Sequence, residues 1–330
     1  MSHEIEINAQ TGKASYFGVL EPAWHRLGTT LNAPPTVREA ITAAGLDWQV
    51  RLQPLHMKYD GVEMDVPAYA TVRDSDKSVL GVVGPTYQPL QNQDAFEFFQ
   101  PWLDEGLATL ESGGSLRQGK RVWVLAKLKS ANMEIVKGDE VAKYILLSNG
   151  HDGTLAVRTG FTAVRVVCSN TMAMAHGDRT SKLLRVRHTK NTVKALSEIR
   201  DVMNLAEQEF EATADQFRAL ARKGVRAEDL KSFVKQVFKP KVLEGGPLVT
   251  QADEMDCDRL MGKIIPLFEK GRGNDLPGVA GTMWGALNAV NEYLGYERGS
   301  SEEGRLHSLW FGDSARLNQK ALQVAMAMTG

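Results

Sequence analysis

GGSLRQGKRVWVLAKL (113–128) and DEVAKYILLSNGHDGTLAVRTGFTAVRVVCSNTMAMA (139–175) carry the densest strand signal in the chain. Val, Ile, Leu, Trp and Tyr recur in short runs. Gly-Gly, Gln-Gly, Lys-Gly-Asp and Asn-Gly-His-Asp-Gly bound them, as turns bound strands. Arg121–Leu128 alternates Val122, Val124 and Ala126 with Trp123, Leu125 and Lys127, the two faces of one strand. Val141–Leu147 is a second strand. Thr154–Arg158 and Ala163–Val167 read as a third and a fourth, with Asn149–Gly153 as a hairpin turn. Ser169-Asn170 then caps a helix beginning at Thr171.

Working outward, Thr189–Ala221 turns to helical spacing through Val193, Leu196, Ile199, Val202, Ala206, Phe210, Phe217 and Leu220. This reads as one helix of about thirty residues broken by Gly224. Asp229–Phe238, Asp253–Lys270, Thr282–Leu294 and Ser314–Met328 are further helices, the second with Pro266 inside it and the last capped by Asp313 or Ser314. Before the central stretch, residues 1–22 look like an irregular arm, with Trp24 as an aromatic anchor just after it. Thr36-x-x-Glu39 is a capping box opening a helix that Gly45 stops. Trp48–Leu52, Val66–Arg73 and Ser78–Val83 read as strands, with Asp74–Asp76 as a turn. Asn92 is the expected cap of a helix carrying Ala95, Phe96, Phe99 and Trp102, and Pro101 kinks or restarts it. The fold class is α+β: a mostly antiparallel sheet with a hairpin, further strand and long-helix core, then a helical C-terminal half. The expected regions are 1–112, a basic core over 113–222, and 223–330.

The composition is that of a globular protein, 43% hydrophobic and 24% charged, with a net charge of −1 over 330 residues. The distribution is uneven. Gly113–Arg200 holds 16 Lys or Arg against 6 Asp or Glu, while the rest holds 23 against 34. Arg179–Lys194 has six Lys or Arg and no acid. Such a segment suits a polyanion, and it also reads as a solvated basic face. Two cysteines make no disulfide framework and suit a reducing cytosol. The N-terminus has no apolar signal core, and no stretch approaches the roughly 18 apolar residues of a membrane span. A cytoplasmic protein is expected.

The nucleic-acid-binding candidates are Arg179, Lys182, Arg185, Arg187, Lys190 and Lys194, with Arg117, Lys120 and Arg121 at the hairpin and Arg158 and Arg165 on later strands. Lys and Arg neutralise phosphates and release counterions, so binding would be sequence-independent and salt-sensitive. Trp123 and Phe161 are base-stacking surfaces or core residues. His151-Asp152 with Thr154 is an acid–base or metal pair, or turn chemistry. Cys168 with His176 or His151 is a nucleophile and base, or a buried inert thiol. Asp253, Glu254, Asp256 and Asp258 bind a divalent ion or open a solvated helix. No GxxxxGK[ST] or GxGxxG phosphate cradle is present, and no cofactor is implied.

AWHRLG (23–28), YQPLQN (87–92), GGSLRQGKRVWVLAKL (113–128), NGHDGTLAV (149–157), VRVVCSNTMAMA (164–175), GTMWGALNAVNEY (281–293) and WFGD (310–313) occur in order. Together they resemble the phage- and plasmid-borne family of domain of unknown function 932. The resemblance implies a mobile-element gene and transfers no catalytic residues. The order of elements from Gly113 to Ala221 is also similar to phage single-strand annealing proteins of the RecT, Red-beta and ERF kind. That likeness implies backbone binding in a basic groove and ring or filament assembly. The expectation is a homo-oligomeric single-stranded-DNA-binding or annealing protein of recombination or repair, without turnover chemistry. The alternatives are a metal-dependent nuclease or hydrolase and an adaptor that binds a host protein.

Overall fold

Why the 113–150 stretch becomes the middle of a sheet is visible in its side chains. The computed structural model describes residues 5–7, 12–20, 27–165, 170–171, 184–203, 206–238, 251–298, 308–309 and 312–330. Strands β6 (Ala108–Leu116) and β7 (Arg121–Leu128) form an antiparallel hairpin, and β7 pairs on its other side with β9 (Asp139–Gly150). Val122, Val124 and Ala126 are fully buried beside Ile145 and Leu147. Trp123 and Leu125, on the opposite face, are buried too. A strand apolar on both faces belongs inside, and this ladder is covered on both.

The residues divide into two compact units. The first comprises Met1–Ser130, Tyr144–Phe161 and Lys182–Ala206. Here β1 (Tyr16–Val19), β2 (Thr29–Leu31) and β10 (Val157–Arg165) extend the ladder to the order β10-β9-β7-β6-β1-β2; the short β11 (Asn170–Thr171) pairs with Val164 and Arg165 of β10, and β12 (Leu184–Val186) pairs with its start. The β1–β2 pair is parallel; every other strand pair with a resolved register is antiparallel. Helix α1 (Val37–Ala43) starts at the Thr36–Glu39 capping box, and Gly45 follows it at φ 63°, as a helix stop requires. Helix α2 (Asn92–Glu97) gives way to α3 (Gln100–Asp104), so Pro101 restarts the chain rather than bending one helix.

A separate sheet has the order β3-β4-β5, from β3 (Val50–Tyr59), β4 (Val62–Arg73) and β5 (Val79–Val83). The β3–β4 register shifts between Pro54 and Leu55. Beyond that irregularity, five rungs run out to a turn at Asp60 (φ 47°) and Gly61 (φ 83°). Positive φ at both central residues suits a tight hairpin turn, and Asp-Gly supplies it.

The second unit comprises Ala131–Lys143, Thr162–Ser181 and Glu207–Gly330. Its hairpin joins β8 (Met133–Val136) to the start of β9. Its helices include α6 (Ala227–Phe238), α7 (Gln251–Lys270), α8 (Met283–Glu292) and α9 (Asp313–Ala327). Phe217, Phe233, Val234, Ile264, Leu287 and Leu294 are fully buried or nearly so. Trp284 packs on Phe217 at 4.7 Å, and its Nε1 donates to buried Asp139 at 2.7 Å. The α8 helix ends in a π-helical turn over Tyr293–Glu297.

Several local expectations change. Gln91, not Asn92, is the N-cap of α2. Asn92 is buried, and its amide donates to the Leu46 carbonyl at 3.1 Å, so tertiary bonding takes the side chain away from the cap. The two strands expected over 154–158 and 163–167 meet in one strand, β10, with residues 166 and 167 outside those described. Asp152 Oδ1 accepts from Thr154 N at 2.9 Å and holds 152–154 as a turn, which delays the strand to Val157. Asn149 and Gly150 belong to β9 rather than to that turn. Asn170 and Thr171 pair with Arg165 and Val164 of β10, so the ladder takes the backbone groups a helix start would have used. The expected thirty-residue helix appears as α4 (Thr192–Met203) and α5 (Ala206–Arg222), with residues 204 and 205 outside those described. Trp24, Cys168, His176, Arg179, Lys182, Pro240 and Gly299–Gly304 also lie outside them.

Candidate functional site

The β6–β7 turn, the β9–β10 turn and the β12–α4 connection carry most of the basic candidates, and all lie in the first unit. Arg117 and Gln118 adopt φ 53° and 57°, followed by Gly119 at 84°. This left-handed run wraps around the buried Arg73 guanidinium, which donates to the Gln118 carbonyl at 2.8 Å. A Cβ on Gly119 would meet Arg73 Nη2 at 2.1 Å, so the close approach requires glycine. Arg73 also pairs with buried Glu6 and lies over Trp48, 4.5 Å from the ring. The turn leaves Arg117 exposed and Lys120 half-buried.

Arg121 has a different occupation from the one its place in the basic hairpin suggested. It is buried, it ion-pairs with Asp152, and it donates to Thr154 Oγ1. Burial alone would raise the Asp152 pKa. Hydrogen bonds from Arg121 and Thr154 outweigh it and hold the carboxyl below the usual range. Asp152 is thus bound to Arg121 and Thr154 rather than presented as an acid or metal ligand.

His151 is fully buried. Its Nε2 lies 2.9 Å from Asn92 Oδ1, and its ring meets the Trp48 ring edge-on at 5.4 Å. Asn92 spends its amide N–H on Leu46, so its oxygen is an acceptor and His151 Nε2 carries the proton. Burial, then the positive charges at His188 and Arg73, push the His151 pKa from 6.5 to about 3. The segment 87–92 binds this region together. Tyr87 OH donates to the Gly150 carbonyl at 3.0 Å, Asn149 Nδ2 donates to the Leu90 carbonyl at 3.0 Å, and the Gln91 amide bonds both Val50 backbone groups. The histidine–aspartate dipeptide is a structural joint.

Arg158 and Arg185 are directly opposed in the β10–β12 register. Like charges facing across a ladder destabilise it. Arg158 is half-buried, and its Nε has no hydrogen-bond partner among the described residues. Burial, then the charges of Arg185 and Arg121, lower its pKa from the ordinary arginine value. Arg185, Arg187, Lys190 and Lys194 are exposed along the run from β12 into α4. Lys194 pairs with Glu198 at 3.9 Å. His188, in the same run, is buried and stacks on Tyr87 at 4.7 Å.

Of the two aromatic candidates, Trp123 is buried beside Tyr16, with ring centroids 6.0 Å apart, and serves as core. Phe161 is half-buried against the main hydrophobic cluster. Arg165 is in β10. In the second unit, Asp258 pairs with Lys231 at 2.9 Å. Among the described residues no three His, Cys, Asp or Glu side chains converge as a metal site would need, and no helix is long and apolar enough to cross a membrane. The opposed arginines were invisible in the sequence, because Arg158 and Arg185 are far apart in the chain and only the β10–β12 register joins them.

A family model described as a domain of unknown function, DUF932, matches residues 79–318. No curated protein and no solved structure matches the chain. The likeness to phage annealing proteins therefore rests on element order and charge alone.

Proposed function

The chain belongs to the DUF932 family, and on that premise we propose that it is a cytoplasmic nucleic-acid-binding protein that captures the backbone of single-stranded DNA during recombination or repair. It works as a homo-oligomer and turns over no substrate. The observation that carries this reading is the opposed pair Arg158 and Arg185, with the half-buried Arg158 Nε unpartnered among the described residues. Two guanidinium groups held against each other in a partly desolvated place are relieved by a shared anion. Phosphate, with several acceptor oxygens, matches their forked donors. The exposed Arg187, Lys190 and Lys194 continue the positive charge into α4 and suit successive phosphates. Arg117 and Lys120 contribute from the β6–β7 turn, and Arg165, Arg179 and Lys182 belong to the same basic segment of the sequence. Bases stay outward for pairing. His151 is buried and Asp152 is bound to Arg121, which weighs against a hydrolase built on that pair.

Fluorescence anisotropy with a labelled oligonucleotide of arbitrary sequence, at low and moderate salt, tests this reading. Binding should weaken steeply with salt, and each lost phosphate contact should reduce the logarithmic salt slope by about 0.7 on a single strand. Arg158→Ala/Arg185→Ala should reduce both affinity and slope, with the fold checked by circular dichroism. No binding at low salt, or wild-type affinity in the double variant, overturns it.

A further inference from the structure

The β3–β4 hairpin beyond Pro54 has two unlike faces. Leu55, Met57 and Tyr59 stand opposite Val66, Met64 and Val62. These six make one apolar face, on which Met57 is 47%, Tyr59 63%, Val62 62% and Met64 48% exposed. The other face carries His56 opposite Asp65 and Lys58 opposite Glu63. His56 Nδ1 lies 2.9 Å from Asp65 Oδ1. Strand β3 is therefore a basic row, and this part of β4 is an acidic row.

Both rows border unpaired edges. β3 is the outer strand of its sheet, and β5 pairs with β4 only over Tyr69–Val72. The outer backbone of β4 from Val62 to Val66 is thus left without a strand neighbour among the described residues. No proline interrupts either edge between Leu55 and Val66. Exposed edges of this kind pair with other chains unless something prevents it.

We propose that copies of this chain associate by adding the β3 edge of one hairpin to the outer β4 edge of another. Charge selects this pairing. Joining two β3 edges would set Lys58, His56 and Arg51 of one copy against the same residues of the next. Joining two β4 edges would oppose Glu63 and Asp65 to themselves. Joining β3 to β4 continues the alternation of basic and acidic rows already present within the hairpin. It also merges the apolar faces into one strip. The contact is head-to-tail, so repetition gives a ring or a filament. Between Leu55 and Val66, Lys58 is outnumbered by Asp60, Glu63 and Asp65, so the hairpin is net acidic and does not suit a polyanion. The proposal rests on the self-association named above and is independent of phosphate capture.

The test is sedimentation velocity on the full chain over a concentration series without nucleic acid, followed by mixing. Lys58→Glu/Glu63→Lys preserves the pair inside the hairpin and should associate with itself as the wild type does. Two differently labelled proteins, wild type and the swapped variant, should sort in a mixture, because each mixed contact opposes like charges. A preference of roughly fivefold for like copies, read by energy transfer, is expected from such cross-strand pairs. Met57→Lys, which charges the apolar strip, should weaken association in either background. Unbiased mixing, or unchanged association of Met57→Lys, overturns the hairpin contact and leaves the homo-oligomer standing. A preference of wild type for the swapped variant overturns it in favour of like-edge pairing. A wild type that stays monomeric at every concentration overturns both the contact and the homo-oligomer.

Discussion

The β3–β4 and β6–β7 hairpins are both antiparallel, and both turn through residues at positive φ, yet they do opposite things. In the first, apolar and charged residues alternate, and both faces of its outer part remain exposed. In the second, both faces are apolar through β7, and both are buried. What separates them is the company of each strand. β7 has hydrogen-bonded neighbours on both sides, whereas among the described residues the outer part of β3–β4 has none beyond its own two strands. An isolated two-stranded ribbon is marginal in water, so the first hairpin depends on its base or on a partner, while the second is the base.

The largest expected contrast comes from core truncation. Leu147→Ala removes a fully buried side chain beside β7 and should cost about 2–5 kcal/mol in urea unfolding. Tyr59→Ala, at the tip of the exposed hairpin, should stay within about 0.5 kcal/mol in the monomer. Equal costs would break the distinction between the two hairpins.

Charge repeats the contrast on a smaller scale. Arg121→Met leaves the Asp152 carboxylate without its guanidinium in a partly buried place and should cost about 3 kcal/mol. Lys58→Ala should cost no more than about 0.5 kcal/mol, since exposed pairs contribute little. Comparable losses would show that the Arg121–Asp152 joint is not what fixes the β9–β10 turn.

The joint between His151 and Asn92 also predicts a pH dependence. The folded pKa of His151 lies near 3, below its ordinary 6.5, so between these values the unfolded chain binds the extra proton. Its contribution is complete above about pH 6.5 and declines as pH falls towards 3. Unfolding free energies measured from pH 7 to pH 4 should fall more steeply for wild type than for His151→Gln. An identical slope in the variant would place the acid sensitivity elsewhere.

Much of this was legible in particular residues. The apolar run Val122–Ala126 marked β7, Thr36 and Glu39 marked the start of α1, and the spacing of Trp284, Leu287 and Val290 marked α8. The hairpin to Tyr59 was missed, although Asp60-Gly61 between two alternating runs is its signal. The readings Trp48–Leu52 and Val66–Arg73 covered little of the hairpin beyond Pro54 and Pro67, which fall where the register slips rather than where the strands end. Asn92 was misread because a polar residue before a helix looks the same whether it caps locally or reaches across the core.

By itself the sequence determined the α+β class, strands β7 and β9 of the central ladder and the concentration of positive charge from Gly113 to Arg200, because periodicity, turn chemistry and charge are local; β1 (Tyr16–Val19), inside what read as an irregular arm, appears only through its pairing with β6. The tertiary structure decided which charges are free. Arg121 and Arg185 both read as surface cations in the sequence, yet one is buried against Asp152 and the other faces Arg158 across two strands. Whether a guanidinium meets a carboxylate or another guanidinium depends on strand register, and register is fixed only when the whole sheet assembles.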